Sequence, residues 1–171
     1  MCCRENPVLK STDQVLPLFS YRLWNKELLF KWKIKGERVL SPFFARLFFE
    51  ALKELNQKVV VPVPPRKGKI KQNGWDQIDE VCQFLEYRYG IKIKKLLERN
   101  SVKQQKKLNR EERLNTIQGA YSLVKNPGIL PDQVCLIDDV CTTGSTVECC
   151  AKILKDAGVK VVNVITLFIV D

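Results

Sequence analysis

The segment from Val134 to Thr146 constrains the fold more than any other part of the chain. It reads V-C-L-I-D-D-V-C-T-T-G-S-T, an apolar run followed by two acids and a turn of Thr, Gly and Ser. The turn opens a predicted helix of about residues 145–157, which Gly158 ends, and a second apolar run covers 159–170. Strand, turn, helix and strand with fully apolar strands form a βαβ unit. The sequence therefore predicts an α/β protein with a parallel sheet covered by helices on both faces.

The apolar pattern predicts three further elements with some detail. Residues 41–55 form a helix in which Ser41 can act as the cap and Pro42 suits the first position. Residues 59–64, V-V-V-P-V-P, form a short buried strand that its prolines end as it enters a loop. Residues 75–89 form a helix that ends at Gly90, with its inner face made by Ile78, Val81, Cys82 and Leu85.

Weaker patterns cover the remaining segments. Residues 1–20 show no clear period, so we expect a loosely packed leading segment. Residues 23–34 fit a helix or a hairpin. Short strands are expected near 91–97 and 119–124, and the intervening 98–116 is a polar stretch of a length that usually has a function or moves.

The chemistry of the 134–146 segment favours a phosphorylated sugar. Its strand delivers Asp138 and Asp139 to the carboxyl edge of the sheet, where open α/β sheets bind ligands. The run Thr142, Thr143, Gly144, Ser145 and Thr146 then offers hydroxyls and backbone N–H groups at a helix N-terminus, which attracts anions. A ribose 5-phosphate fits this segment, because its hydroxyls can meet the two acids and its phosphate can meet the start of the helix. The alternative is a capped turn whose acids are merely solvated, and the absence of G-x-x-x-x-G-K-[S/T] and G-x-G-x-x-G argues against NTPases and dinucleotide enzymes.

Charge and histidine content narrow the chemistry further. The 171 residues carry a formal charge of +10 and no histidine. A Ser–His or Cys–His nucleophile, an imidazole base and a His-ligated metal are thereby excluded. The cations concentrate in residues 26–38, 64–71 and 88–113, which indicates a polyanionic partner or, at each stretch, only a solvated surface.

The seven cysteines include no C-x-x-C pair, and we expect reduced thiols that fill space. The first residues lack the apolar stretch of a signal peptide, and no run is long enough to span a membrane. These features lead us to expect a cytoplasmic protein without a membrane partner.

At the acid pair and its loop the sequence resembles the type I phosphoribosyltransferases, and within them the ComF-type (competence protein F) family. Residues 32–38, W-K-I-K-G-E-R, resemble that family's F-K-Y-x-G-[D/E] opening. Residues 61–64 and 74–77 resemble its P-V-P strand and its G-F-N-Q helix start. The stretch 105–121 resembles its Q-x-x-L…R…G-A-F blocks. The blocks are collinear and extend over roughly residues 18–170.

This resemblance implies a domain plan. The whole chain, 1–171, is one phosphoribosyltransferase-like domain with a Rossmann-like parallel sheet. Residues 1–19 form an entry segment, and 20–57 form a small helical hood over the acceptor site. Residues 58–171 form the α/β core that binds phosphoribosyl pyrophosphate (PRPP).

The resemblance also implies roles for the site residues. Asp138 and Asp139 engage the ribose hydroxyls and hold Mg²⁺ together with PRPP, and 142–146 bind the 5′-phosphate. The loop after Pro64 binds pyrophosphate. A flexible lid then closes over it with cations. The pyrophosphate loop comprises Pro65, Arg66 and Lys67, and the lid cations are Lys103, Lys106, Lys107, Arg110 and Arg113.

Two positions depart from the family's pattern. Its members commonly begin with a four-cysteine zinc ribbon, of which only Cys2 and Cys3 stand here, so we expect no zinc. Thr116 stands where the family usually has Asn, which weakens any role for that position.

Three functions stay open at this point. The first is an enzyme of nucleotide metabolism that transfers ribose 5-phosphate from PRPP to an unidentified acceptor and releases pyrophosphate. The second is a non-catalytic competence factor for DNA uptake that binds single-stranded DNA, for which Trp24, Trp32 and Trp75 could stack bases, although packing explains at least two of them. The third is a regulator that senses PRPP. A homodimer also stays open.

Overall fold

A five-stranded parallel sheet forms the centre of the structure. The computed structural model describes residues 9–22, 24–65, 74–100 and 119–170. A two-stranded antiparallel ribbon lies beside the sheet, and a short 3₁₀ turn, Arg38–Leu40, precedes the second helix. The elements are β1 Gln14–Ser20, α1 Trp24–Lys33, α2 Ser41–Glu54, β2 Val59–Pro62, α3 Gln77–Tyr89, β3 Lys92–Ile93, β4 Leu97–Arg99, β5 Tyr121–Leu123, β6 Gln133–Cys141, α4 Ser145–Asp156 and β7 Val161–Ile169.

The strand order of the sheet is β1-β7-β6-β2-β3, and every neighbouring pair is parallel. From β6 the chain crosses through α4 to β7, while from β2 it crosses through α3 to β3 on the opposite side. The two crossovers therefore diverge between β2 and β6, which leaves a crevice at their carboxyl ends. This is the place where open parallel sheets bind ligands.

Helices cover both faces of the sheet, which confirms the predicted α/β class. Cys135 and Ile137 of β6 pack on one side with helices α1, α2 and α3. Val134 and Leu136 alternate with them and pack on the other side with α4 and the β4–β5 ribbon. A strand buried on both faces explains why its sequence is a continuous apolar run.

The predicted hood contains α1 and α2, and a buried polar chain ties these helices to α3. Trp32, fully buried at the end of α1, donates its Nε1–H to Oγ of Ser41 at 2.9 Å. The Ser41 hydroxyl donates in turn to Glu80 of α3, which also accepts from Nε of Arg38 at 2.6 Å. The sequence led us to expect that Ser41 caps α2. Ser41 is instead the first helical residue, and its side chain turns inward.

The leading segment differs from the prediction over part of its length. Gln14–Ser20 form β1, an edge strand paired in register with β7, rather than a loosely packed lead. Pro17 is tolerated there because an edge strand has one side without ladder partners. Of the helix and hairpin expected over 23–34, the structure shows a helix at Trp24–Lys33. Strand β6 extends through both acids to Cys141.

None of the helices in the described ranges has the length and apolar character needed to cross a membrane.

Candidate functional site

A cavity of about 400 Å³ lies at the carboxyl ends of β2 and β6. Its lining includes Val63 and Pro65, which follow β2, Asp138 and Asp139 of β6, and Thr146 of α4. The acid pair therefore opens into the crevice that the sheet topology creates.

Asp139 is tied to two protein donors. Its Oδ2 accepts from Nε2 of Gln77 at 2.5 Å and lies 2.5 Å from Nζ of Lys33. Asp76 caps α3 by accepting from the backbone N–H groups of Ile78 and Asp79, which fixes Gln77 in the first turn. Asp139 is itself buried, so these donors satisfy a carboxylate that water hardly reaches.

Asp138 has a different environment. Its Oδ1 accepts from the backbone N–H of Asp139 at 2.8 Å. Burial, and then the neighbouring charge of Asp139, raise the pKa of Asp138 well above its ordinary value of 3.8, against the smaller lowering effects of that N–H and of Lys33. The protein thus holds a carboxylate in the cavity whose charge a bound cation or hydroxyl donors would stabilise.

Stability should depend on pH through this group. A raised folded-state pKa means that the folded protein binds the proton more tightly than the unfolded chain. The contribution of Asp138 to stability is therefore fully present below about pH 4 and is lost as the pH rises through its folded-state pKa. We expect Asp138→Asn to raise the free energy of unfolding by about 1 to 3 kcal/mol at pH 8.5 and by much less at pH 4.5.

Urea unfolding at the two pH values measures this difference, with the exposed Asp156→Asn as the matched control. A gain for Asp138→Asn that is the same at both pH values would contradict the assigned shift.

The loop 142–146 forms the N-terminus of α4. Gly144 precedes the first helical residue with φ +77° and gives the helix no side-chain cap. Thr143 Oγ1 and Ser145 Oγ lie 2.8 Å apart at the surface of the loop. An anion placed here would meet backbone N–H groups of the first turn and the positive end of the helix dipole.

Glycine is favoured at position 144 by its positive φ, and the side chain of Leu9 lies close to it. A Cβ at this position would lie 2.9 Å from Cδ2 of Leu9, in the segment before β1. We expect Gly144→Ala to cost about 1 to 3 kcal/mol of unfolding free energy, because strain at positive φ adds to this contact.

Gly90→Ala serves as the control, since Gly90 has φ +66° and a Cβ added there would meet no neighbouring atom within 4 Å. Thermal unfolding of both variants measures the difference. An equal loss in the two would show that the Leu9 contact adds nothing.

The β4–β5 ribbon supplies a further wall of the cavity. The guanidinium of Arg99 lies 5.1 Å from the ring centre of Tyr121, and both residues line the cavity. Tyr121 bonds with the side chain of Thr146, and burial raises its pKa to about 12. The ribbon thus contacts the 142–146 segment through Tyr121 and Thr146, and Arg99 adds a cation to the lining of the cavity.

The structure brings together only part of the predicted site. Asp138, Asp139, Thr146 and Pro65 line the cavity, whereas Thr142 and Thr143 lie exposed beside it. Arg66 and Lys67, and the lid residues Lys103, Lys106, Lys107, Arg110 and Arg113, lie outside the described residues.

Several residues without a predicted binding role also line the cavity. Four of them can contribute hydrogen bonds or charge to a ligand: Lys33, Gln77, Arg99 and Tyr121. The signal for three of them was present, because Lys33, Gln77 and Tyr121 stand inside the blocks that carry the resemblance. Arg99 offered only its place in a cation-rich stretch.

The donor set fits one kind of metal. No group of three or more Cys, Asp or Glu ligands occurs among the residues that the structure describes. Two adjacent carboxylates suit Mg²⁺, which proteins commonly bind through one or two carboxylates together with substrate phosphates. Cys2 and Cys3 lie outside the described ranges, so the expectation of no zinc stays a prediction.

The five described cysteines are buried and form no disulfide with one another, and burial raises the pKa of the Cys82 thiol to about 12. They serve as small apolar side chains.

Two curated proteins are similar to the chain over most of its length. Competence protein ComFC of Streptococcus pneumoniae is 29% identical over 150 residues, which cover 88% of this chain and 66% of the relative. Competence protein F of Haemophilus influenzae is 25% identical over 173 residues, covering 95% and 74%. The chain is thus similar to ComF-type competence proteins. No protein-family model matches it.

Among solved structures, the purine phosphoribosyltransferase of Pyrococcus horikoshii aligns with this chain at a TM-score of 0.43 and 16% identity. The alignment covers 78% of this chain and 84% of that protein. The chain spans just under two thirds of the length of the streptococcal relative, so the activity of that whole protein is not carried over.

Proposed function

We propose that this chain binds PRPP with Mg²⁺ in the cavity between β2 and β6 and transfers its ribose 5-phosphate group to an acceptor, releasing pyrophosphate. The observation that carries the proposal is the position of the acid pair and the uncapped α4 N-terminus at one crevice. Carboxylates that can accept hydrogen bonds from sugar hydroxyls lie beside backbone N–H groups that can donate to a phosphate. These groups match the two ends of a ribose 5-phosphate.

Each part of the site has a defined task in this proposal. Asp138 faces the sugar hydroxyls with Asp139 beside it, and loop 142–146 binds the 5′-phosphate. When bound, Mg²⁺ would offset charge on the pyrophosphate and help it leave. Pro65 begins the pyrophosphate loop, while Arg66, Lys67 and the cationic lid complete it as a prediction from the family resemblance.

The transfer does not require a dedicated general base. The bond from C1 to the pyrophosphate oxygen breaks, its electron pair leaves with pyrophosphate, and an acceptor lone pair forms the new bond to C1. Positive charge develops at C1 during this exchange, and nearby carboxylates stabilise it electrostatically. A chain without histidine is compatible with this chemistry.

Calorimetric titration with PRPP in the presence of Mg²⁺ tests the proposal. We expect saturable binding that chelation of Mg²⁺ weakens, and a screen of nucleobases and amines for pyrophosphate release would then identify the acceptor. PRPP binding without release for any acceptor would favour a sensing role. The absence of binding at millimolar PRPP would refute the proposal.

One observation favours the second candidate, a single-stranded DNA-binding factor. Trp24 at the start of α1 is 81% exposed, on a helix that also carries Lys26, Lys31 and Lys33. Exposed aromatic rings among cations stack on bases. Trp32 is instead buried within the hood, and the ring of Trp75 packs against the hood under Arg38. A DNA affinity that falls steeply with salt and that Trp24→Ala weakens would support this candidate.

A further inference from the structure

The two acids of the pair differ in what the protein supplies to them. Oδ2 of Asp139 receives both Lys33 Nζ, from the last residue of α1, and Gln77 Nε2, from the first residue of α3. Asp138 lines the same cavity and accepts from a backbone N–H. Helices α1 and α3 therefore each place a donor on Asp139, and Asp138 is left facing the cavity.

The position of Lys33 is fixed by its neighbours in sequence. Trp32, the preceding residue, is fully buried, and its ring centre lies 4.5 Å from that of Phe44. Gly36 then turns the chain with φ +71° against the indole of Trp75. Lys33 thus leaves a rigid helix end and reaches Asp139 with a side chain that is one-third exposed.

The charge of Lys33 matters because the proposed ligand is a polyanion. Two carboxylates in one crevice repel phosphate and pyrophosphate groups, and the partly buried site screens this repulsion less than water does. An ammonium 2.5 Å from Asp139 cancels one of the two charges. The net negative charge that a ligand meets at the acid pair is then at most that of a single carboxylate.

We infer that Lys33 is a positioning residue that clamps the hood to Asp139 and neutralises it, so that Asp138 is the carboxylate that faces the ligand. The part of this inference that concerns the ligand rests on the proposed function. The clamp between α1 and β6 stands on the geometry of the unliganded protein. The two acids of the motif therefore have unequal roles.

Calorimetry with PRPP and Mg²⁺ on four proteins tests the charge balance. We expect Lys33→Met to weaken PRPP binding by about 10-fold, because it leaves the Asp139 charge uncompensated. Adding Asp139→Asn to Lys33→Met should restore the affinity to within about threefold of the native protein, since close charge pairs couple. The matched control is Lys31→Met on the same helix, which removes an equal charge paired only with Glu27 in the described structure and should change the affinity by less than about threefold.

Two results would overturn the charge balance. One is a double variant that binds no better than Lys33→Met, and the other is a Lys31→Met that loses as much as Lys33→Met. A merely structural ion pair would not produce the rescue, because the double variant still lacks the contact between α1 and β6.

Hydrogen exchange of the unliganded protein tests the clamp separately. Lys33→Met and Asp139→Asn should each raise the exchange of the α1 amides by a similar factor, with no further rise in the double variant. Unchanged α1 exchange in both single variants would refute the clamp. If the native protein binds no PRPP, the proposed function fails, and the exchange result still decides the clamp.

Discussion

Replacing Asp138 by asparagine is expected to weaken the binding of PRPP by about 100-fold, because charge-assisted hydrogen bonds to the sugar and attraction for Mg²⁺ are lost together. The shape of the side chain is retained, so the effect reports the charge. Titration calorimetry with PRPP and Mg²⁺ measures the loss.

The same substitution should leave the fold intact and make it more stable at neutral and higher pH, since the buried charge of Asp138 is unfavourable in the empty protein. A binding defect in this variant therefore cannot be attributed to unfolding. Asp156→Asn, an exposed acid at the end of α4, should bind as the native protein does. Undiminished PRPP binding by Asp138→Asn would contradict the assignment of this carboxylate to the ligand.

Replacing Trp32 by alanine should cost about 3 to 5 kcal/mol of unfolding free energy. The side chain is fully buried against Phe44 and donates to Ser41, so the change leaves a cavity and removes a buried hydrogen bond. A loss of this size is a large part of the stability of a typical domain. Urea unfolding at pH 7 measures it.

The same change at Trp24 is the matched control. That side chain is 81% exposed on the same helix, so Trp24→Ala should change the unfolding free energy by less than about 0.5 kcal/mol. If Trp32→Ala proves too unstable to purify, Trp32→Phe should show a smaller loss in the same direction. Equal losses at Trp32 and Trp24 would contradict this packing of the hood.

Local pattern was enough to predict the sheet and the acid pair. Residues 134–146 combine an apolar strand, acids and a helix start within thirteen positions, and each of these signals acts over a few residues. The helix 77–89 was also readable, because Ile78, Val81, Cys82 and Leu85 form its buried face. The family resemblance supported the same segments independently.

Edge strands and long-range contacts were harder to predict. Gln14–Ser20 has a proline at its centre and pairs with β7, about 150 residues later in the chain, so no local signal marks it as part of the sheet. Lys33 and Gln77 meet at Asp139 from separate helices, and sequence spacing does not encode such a meeting. The resemblance blocks contained both residues without indicating what they contact.

The most direct test of the central claim is an amide NMR titration of the chain with PRPP and Mg²⁺. Binding in the proposed cavity predicts shifts of the backbone amides of 142–146, of Asp139, and of the Gln77 side-chain amide. Unchanged spectra at millimolar PRPP, or shifts confined to the exposed face around Trp24, would contradict it.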